Sequence, residues 1–231
     1  MVNKKRVIKT IQRLIAINSE NPPGNEAKAT LFVKGYLRRL GLKVKVYEFK
    51  KGRPNVLGYL PGNNPRHTIL ITPHLDTVPA GKNWSVNPFS GKIIKDKIYG
   101  LGATDCKGNL ACALEAINSI VEDNKKPNCN VIFAATVDEE TGSRLGLIPL
   151  LNKGLIKVDS ALVLDADNFD IIVAQKGLIH LRVKIEGKRA HGAYPWRGIN
   201  AIDIALKIIK DIKEEKFSYR RNTYLILLPL I

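Results

Sequence analysis

The chain has 231 residues, 45% of them hydrophobic, which is enough to bury the core of one large domain or of one and a half. Its formal net charge of +16 is spread over lysines along the sequence, with no basic run interleaved with aromatic residues, and this argues against nucleic-acid binding. Three cysteines lack metal-site or disulfide spacing, and no stretch approaches the ~20 apolar residues of a membrane helix. We therefore predict a cytoplasmic protein whose partners include neither nucleic acid nor a membrane.

The first 60 residues predict two amphipathic helices followed by strands. The helices cover residues 3–17 and 26–40, with a loop of strong helix breakers between them and Gly41 as the stop signal of the second. Strands are expected over residues 43–49 and 55–59.

The middle of the chain alternates strands with helices. This alternation predicts an α/β fold with a mostly parallel central sheet and helices on both faces. In such sheets, ligands gather at the carboxyl ends of the strands. The predicted elements are a strand at 68–72, a helix at 108–123, a strand at 130–137, a loop and helix around 143–152, and a strand at 160–165.

The pattern changes after Ala174. Residues 178–186 alternate apolar and polar side chains, which favours a half-exposed antiparallel strand, and residues 199–215 favour an amphipathic helix. A final strand is expected over residues 223–231. We therefore predict a first, α/β domain over residues 1–174 and a partial α+β domain over residues 175–231.

Acidic residues and one histidine follow the apolar runs. His74 and Asp76 come after the strand at 68–72, Asp105 follows a glycine-rich approach, and Asp165 follows the strand at 160–165. Oxygen and nitrogen donors of this kind suit zinc, cobalt or manganese. In this interpretation His74 binds metal and Asp76 holds its other ring nitrogen, whereas Asp105 taken alone could equally be a turn aspartate.

The adjacent glutamates Glu139 and Glu140 give the most specific indication of chemistry. They follow the strand at 130–137, and adjacent side chains point in different directions, so one can bind a metal while the other faces a substrate as general base. The alternative is a solvated acidic loop.

Several segments together resemble a known family. They are INSENPPGNE from Ile17, HLDTVPAG from His74, YGLGATDCKG from Tyr99, VDEETGS from Val137, LVLDAD from Leu162 and RAHGAYPWRGINAI from Arg189. In this order they resemble the zinc-dependent amidohydrolases and exopeptidases, a family that contains acetylornithine deacetylase, succinyl-diaminopimelate desuccinylase, aminoacylase and the glutamate carboxypeptidases. The resemblance implies a zinc-exopeptidase-like fold, in which residues 1–174 form the metal-binding catalytic domain without its C-terminal part, and a role such as amino-acid biosynthesis.

The resemblance also implies roles for individual residues. One or two zinc ions would be bound, with cobalt or manganese as substitutes. The metal ligands would be His74 on the first ion, Asp105 bridging both, Glu140 on the second and Asp165 on the first. Asp76 would orient His74, and Glu139 would be the general acid and base.

The second domain would be a lid through which the enzyme forms a homodimer. His191 matches the family's lid histidine, which reaches a neighbouring subunit's site and stabilises the oxyanion. The family continues beyond the equivalent of Ile231 and supplies a further histidine for the second metal, so we expect this chain to be C-terminally truncated.

The leading hypothesis is metal-dependent hydrolysis of an amide bond in N-acyl amino acids or small peptides. The alternative is a catalytically incomplete fragment that binds a metal or a partner chain without turnover. A metal count per chain and a hydrolysis assay distinguish the two.

Overall fold

The computed structural model describes residues 1–165, 171–173, 177 and 179–215. Its contacts divide the chain into two compact units, Met1–Asp170 and Ile171–Ile231. This division lies four residues before the domain boundary expected from the sequence, and that boundary stays a prediction. Each unit is described by itself.

Four helices of the first unit lie close to their predicted positions, because their apolar residues recur at helical spacing. The Asn3 side chain accepts a hydrogen bond from the Arg6 amide and so caps the first helix. The helices are α1 (Lys4–Ile15), α2 (Ala27–Arg39), α3 (Lys107–Glu122) and α4 (Leu147–Asn152).

A five-stranded sheet forms the centre of the first unit. The described strands are β1 (Lys43–Glu48), β2 (Pro54–Leu60), β3 (Asn64–Thr72), β4 (Lys92–Ile94), β5 (Lys97–Tyr99), β6 (Cys129–Ala135) and β7 (Ser160–Val163). The sheet order is β1-β2-β6-β3-β7, while β4 and β5 pair separately as a hairpin. Because β2 runs antiparallel to both of its neighbours and β3 runs parallel to β6 and β7, β2 alone opposes the direction of the other strands. The expected mostly parallel sheet is confirmed.

Apolar side chains cover both faces of this sheet. On one face, the first three helices pack on strand residues such as Val56, Phe133 and Ala135, all of which are fully buried. On the other face, Leu150 of α4 and the neighbouring Ile156 pack on Leu57, Leu70 and Ala134. Helices therefore lie on both faces, as the alternating pattern predicted.

The second unit contains one long helix in its described part. Helix α5 (Ala201–Glu214) begins at Asn200, whose side chain accepts a hydrogen bond from the Ile202 amide. The strand predicted over 178–186 is not formed in residues 179–186, which pair with no strand among the described residues. Alternation alone cannot hold a strand when no neighbour supplies hydrogen bonds. The strand predicted over 223–231 lies outside the described residues.

A helix that spans a membrane must be both long and apolar. In the portion of the chain that the structure describes, no helix meets both requirements.

Candidate metal centre

Three adjacent strands deliver side chains to one edge of the sheet. Strand β3 leads into His74, β6 leads into the segment 138–140, and β7 leads into Asp165. Since these strands are parallel neighbours, their carboxyl ends meet at the same edge. A parallel bridge between His74 and Thr136 extends the pairing beyond the strands to the site itself.

His74, Asp105 and Asp165 form a compact cluster. Nε2 of His74 lies 2.8 Å from Oδ1 of Asp105 and 3.4 Å from Oδ1 of Asp165. The three residues can each offer one ligand atom, and these atoms all lie within 4.8 Å of one another. The histidine is buried whereas both carboxylates are exposed, so the cluster opens to solvent on the carboxylate side.

This donor set fits a divalent cation such as zinc. One imidazole nitrogen and two carboxylate oxygens are the ligands that zinc accepts, and three protein ligands leave a position open for a further group. Burial alone would lower the pKa of His74, but hydrogen bonds to the surrounding carboxylates outweigh burial and hold this pKa well above its usual range. The surroundings of Nε2 therefore stabilise a positive charge at this position.

Two glycines, one before α3 and one in its first turn, allow the chain to bring Asp105 to the cluster. Gly102 has a φ of +76°, and a Cβ there would come within 2.7 Å of the Thr77 side chain. A Cβ on Gly108 would meet the Ala103 carbonyl oxygen at 2.3 Å. Side chains at these two glycines would displace the turn that carries Asp105.

Asp76 links the histidine to the acidic segment. Nδ1 of His74 lies 3.0 Å from the backbone oxygen of Asp76 and 3.5 Å from its Oδ1. The fully buried carboxylate also accepts hydrogen bonds from two successive amides, with Oδ1 bound to the Glu139 amide at 3.2 Å and Oδ2 to the Glu140 amide at 3.1 Å. The sequence predicted only the contact between Asp76 and His74. The contacts of Asp76 with the two amides hold the segment 138–140 against the end of the strand that leads into His74.

Glu139 and Glu140 lie in a single turn of 3₁₀ helix after β6. Burial raises the pKa of Glu139, and the negative charges of the neighbouring aspartates raise it further while His74 opposes them. The carboxylate of Glu140 accepts a hydrogen bond from the Val78 amide at 3.1 Å. Glu140 is not among the described residues that form the compact cluster, although burial and then the charge of Asp105 raise its pKa.

A buried polar network behind the cluster was not foreseen from the sequence. Nδ2 of Asn21 lies 2.9 Å from Oδ2 of Asp76 and 2.9 Å from Oγ1 of Thr141. Arg53 donates to Asp138 at 3.0 Å and forms a buried ion pair with Glu26. Asparagine in a breaker-rich loop and arginine in a basic segment are both typical of surface positions, so local sequence gave no signal for either residue.

His191, the expected lid histidine, belongs to the second unit. Its Nδ1 accepts a hydrogen bond from the Ala193 amide at 3.1 Å, and its ring lies 5.8 Å from that of Tyr194. The side chain is exposed. Its expected catalytic role stays a prediction.

Comparison with known proteins assigns the chain to a family. The model of peptidase family M20/M25/M40 matches residues 70–226, which is more than half of the chain. The chain belongs to this family. The resemblance seen in the sequence motifs is thereby confirmed, and the match includes all seven proposed catalytic and metal-binding residues within its bounds.

Several members of the M20 family are similar to this chain. The succinyl-diaminopimelate desuccinylase of Orientia tsutsugamushi (strain Ikeda) is 32% identical over 221 residues, covering 90% of this chain and 56% of the relative. Among solved structures, a tripeptidase from Staphylococcus aureus superimposes with a TM-score of 0.66 at 28% identity, covering 91% of this chain and 57% of the other. An M20 family metallo-carboxypeptidase from Sulfolobus solfataricus gives a TM-score of 0.62 at 30% identity, with 69% and 37% covered. The chain spans about half the length of the curated relatives it matches.

Proposed function

We propose that this chain belongs to an enzyme that hydrolyses an amide bond in N-acyl amino acids or small peptides with the help of bound zinc. The observation that carries the proposal is the cluster of His74, Asp105 and Asp165 at the sheet edge, with Glu139 on the adjoining turn. Membership of the M20 family supports a metal-dependent hydrolase, and the exact ion, with cobalt or manganese as substitutes, belongs to the proposal.

The residues divide into those that hold the metal and those that handle the substrate. His74, Asp105 and Asp165 would hold the first ion, and Asp105 with Glu140 would hold a second. When bound, zinc polarises the scissile carbonyl and lowers the pKa of an attacking water. Glu139 would accept the proton from that water and return it to the departing amine.

Asp76 and His191 would act from outside the cluster. The Asp76 carboxylate holds the amides of both glutamates, so it would fix the position of the base relative to the metal ligands. His191 would stabilise the developing oxyanion in the site of a neighbouring subunit, and the homodimer that this requires is part of the proposal.

The named relatives narrow the class of substrate. The Orientia protein is named a desuccinylase, and the structural neighbours are named a tripeptidase and a metallo-carboxypeptidase. Linear amides that carry a free carboxylate are common to these names. The desuccinylase relatives favour a role in amino-acid biosynthesis.

The decisive experiment replaces the proposed base. We expect Glu139→Gln to reduce the hydrolysis of N-succinyl and N-acetyl amino acids by at least ~100-fold in the zinc-loaded protein, because the glutamine side chain cannot accept the proton. Zinc bound per chain should not change, because Glu139 is not one of the proposed ligands. Normal turnover by this variant would show that the base is wrongly assigned.

A matched control uses an exposed glutamate of α5. Glu214→Gln makes the same chemical change outside the proposed site and should leave turnover and zinc content unchanged. If the unaltered chain binds zinc but shows no turnover, the alternative of a non-catalytic metal-binding fragment is favoured. This alternative is kept because the chain spans only about half the length of the curated relatives it matches.

A further inference from the structure

A cleft lined by basic and aromatic side chains lies between the first two helices of the first unit. The cationic cleft, as we call it, has a volume of about 250 Å³ and is formed by Arg6, Lys9 and Arg13 of α1 together with Phe32, Tyr36 and Arg39 of α2. It shares no residue with the metal cluster. None of its lining residues is acidic.

Two arginines of the cationic cleft are held by aromatic rings. The guanidinium carbon of Arg13 lies 5.5 Å from the centre of the Phe32 ring, and that of Arg39 lies 5.6 Å from the centre of the Tyr36 ring. An aromatic face orients a guanidinium group while leaving the N–H donors at its edge available. These cations are therefore partly preorganised for a ligand.

The same two arginines have no ion-pair partner in the described part of the chain, and neither does Lys9. Arg6 differs from them, since it binds the carboxylates of Glu115 and Glu122. Even with these two carboxylates counted against Arg6, the charge balance of the cleft stays positive. The cleft therefore favours an anion.

The floor of the cleft is polar and buried. Thr10 is 5% exposed, Tyr36 is 9% exposed and Asn118 is 5% exposed. The side-chain oxygen of Asn118 accepts hydrogen bonds from the Arg6 guanidinium, at 2.8 Å from Nε, and from the Tyr36 hydroxyl at 3.3 Å. The cations of Lys9, Arg13 and Arg39 above this floor therefore supply the donors for an oxoanion.

We propose that the cationic cleft binds a small phosphorylated ligand, either inorganic phosphate or a phosphate monoester. A phosphate dianion can pair with more than one of the cations Lys9, Arg13 and Arg39, and its oxygens match the geometry of the N–H donors of arginine. The volume of about 250 Å³ lies below the ~300 Å³ at which pockets for drug-sized ligands begin. The cleft therefore has room for a phosphoryl group with a small substituent. This inference does not depend on the proposed hydrolase activity.

The test is calorimetric titration of the 231-residue chain at physiological ionic strength. Inorganic phosphate and phenyl phosphate are the two probes, and succinate is the comparison anion. We expect both phosphates to bind, with an affinity at least about tenfold lower in the double variant Arg13→Gln/Arg39→Gln. Tighter binding of phenyl phosphate indicates an ester as the natural ligand, and equal binding indicates free phosphate.

Two further double variants separate a built site from general charge. Lys50→Gln/Lys51→Gln removes the same charge from a different cleft and should retain the affinity of the unaltered chain. Arg13→Lys/Arg39→Lys keeps the charge but loses the planar fork, and should bind more weakly than the unaltered chain. Circular dichroism establishes that each variant is folded.

Four results would overturn the proposal. The first is absence of phosphate binding to the unaltered chain, and the second is an affinity of the Arg13→Gln/Arg39→Gln variant equal to that of the unaltered chain. The third is an equal loss of affinity in the Arg13→Gln/Arg39→Gln and Lys50→Gln/Lys51→Gln variants. The fourth is succinate binding as tight as phosphate binding. Phosphate bound elsewhere on the chain contributes equally to all the variants and does not obscure these comparisons.

Discussion

Asn21 connects the proposed metal centre to the loop between the first two helices. It is 3% exposed, and its amide nitrogen donates to the buried carboxylate of Asp76 and to the Thr141 hydroxyl. A buried carboxylate that loses a donor keeps its desolvation cost without the compensating bond. The stability of the site therefore depends on a residue outside the proposed metal ligands.

We expect Asn21→Ala to lower the free energy of unfolding by about 1–3 kcal/mol, because Asp76 loses a buried hydrogen bond. Urea denaturation of the unaltered chain and the variant measures this difference. Asn18→Ala is the control in the same loop: its side chain is exposed and, among the described residues, binds Glu20 alone, so the expected change is within about 0.5 kcal/mol. Equal effects of the two substitutions would contradict the role given to Asn21.

The sequence indicated the proposed ligands better than it indicated their supports. His74 and Asp165 follow neighbouring parallel strands, so their meeting could be predicted, whereas Asp105 follows the separate hairpin and a glycine-rich turn that the strand pattern does not place. Arg53 reaches Asp138 from 85 positions away, and no local pattern records that contact. Long-range polar pairing depends on how β2 enters the sheet, which periodicity does not specify.

Helix α1 is fastened to α3 by an ion pair that is partly sheltered from solvent. Arg6 donates to Glu115 at 2.5 Å and 2.8 Å, and the Asn3 amide donates to the same carboxylate at 2.7 Å. Burial raises the pKa of Glu115, but the hydrogen bonds from Arg6 and Asn3 outweigh it and leave the pKa below the usual value of 4.5. The charged form of Glu115 is therefore favoured by folding.

The lowered pKa of Glu115 makes the stabilising effect of its ion pair with Arg6 depend on pH. A carboxyl group whose pKa falls on folding adds stability above its unfolded pKa, and loses it as the pH falls through its folded pKa. We expect Glu115→Gln to destabilise the chain by about 1–3 kcal/mol at pH 7, with the difference shrinking as the pH falls below about 4.5. Urea denaturation across this pH range measures the effect.

Glu122→Gln is the matched control for this element. Glu122 binds the same arginine but its side chain is 48% exposed, so Glu122→Gln should destabilise the chain clearly less than Glu115→Gln. A loss from Glu115→Gln that did not change with pH would point to packing as the cause, against the expected electrostatic origin.

The short strands β4 and β5 were not predicted from the sequence. The hairpin of β4 and β5 has three residues in each strand, which is too few for a periodic pattern. Its turn uses Lys95 and Asp96, with φ of 47° and 64°, where Asn-Gly would be the usual signal. The long helices had enough turns to reveal an apolar face, and their predicted ends lie within two residues of the observed ones.

The two units differ in how much they bury. Every described side chain that is buried lies between Thr10 and Ile156, whereas α5 in the second unit has no buried residue. Since burial of apolar surface is the main source of folding stability, the first unit holds the stabilising core. Its independence can be tested directly.

We expect a chain shortened to residues 1–170 to unfold cooperatively, with a thermal midpoint within about 4 °C of the full chain. Differential scanning calorimetry provides the measurement. A chain ending at residue 159 is the comparison, because it lacks β7 and the pairing of that strand with β3, and its midpoint should fall further. Loss of cooperative unfolding in the 1–170 chain would show that the core depends on later residues.

The cluster of His74, Asp105 and Asp165 joins positions far apart along the chain. A cation held by all three would act as a cross-link, closing loops of 31 and 60 residues that are open in the unfolded chain. A ligand that binds only the folded chain raises its stability in proportion to the logarithm of the free ligand concentration. The proposed metal would then stabilise the sheet edge as well as take part in the reaction. We therefore expect a chelator to lower the free energy of unfolding and to stop hydrolysis together.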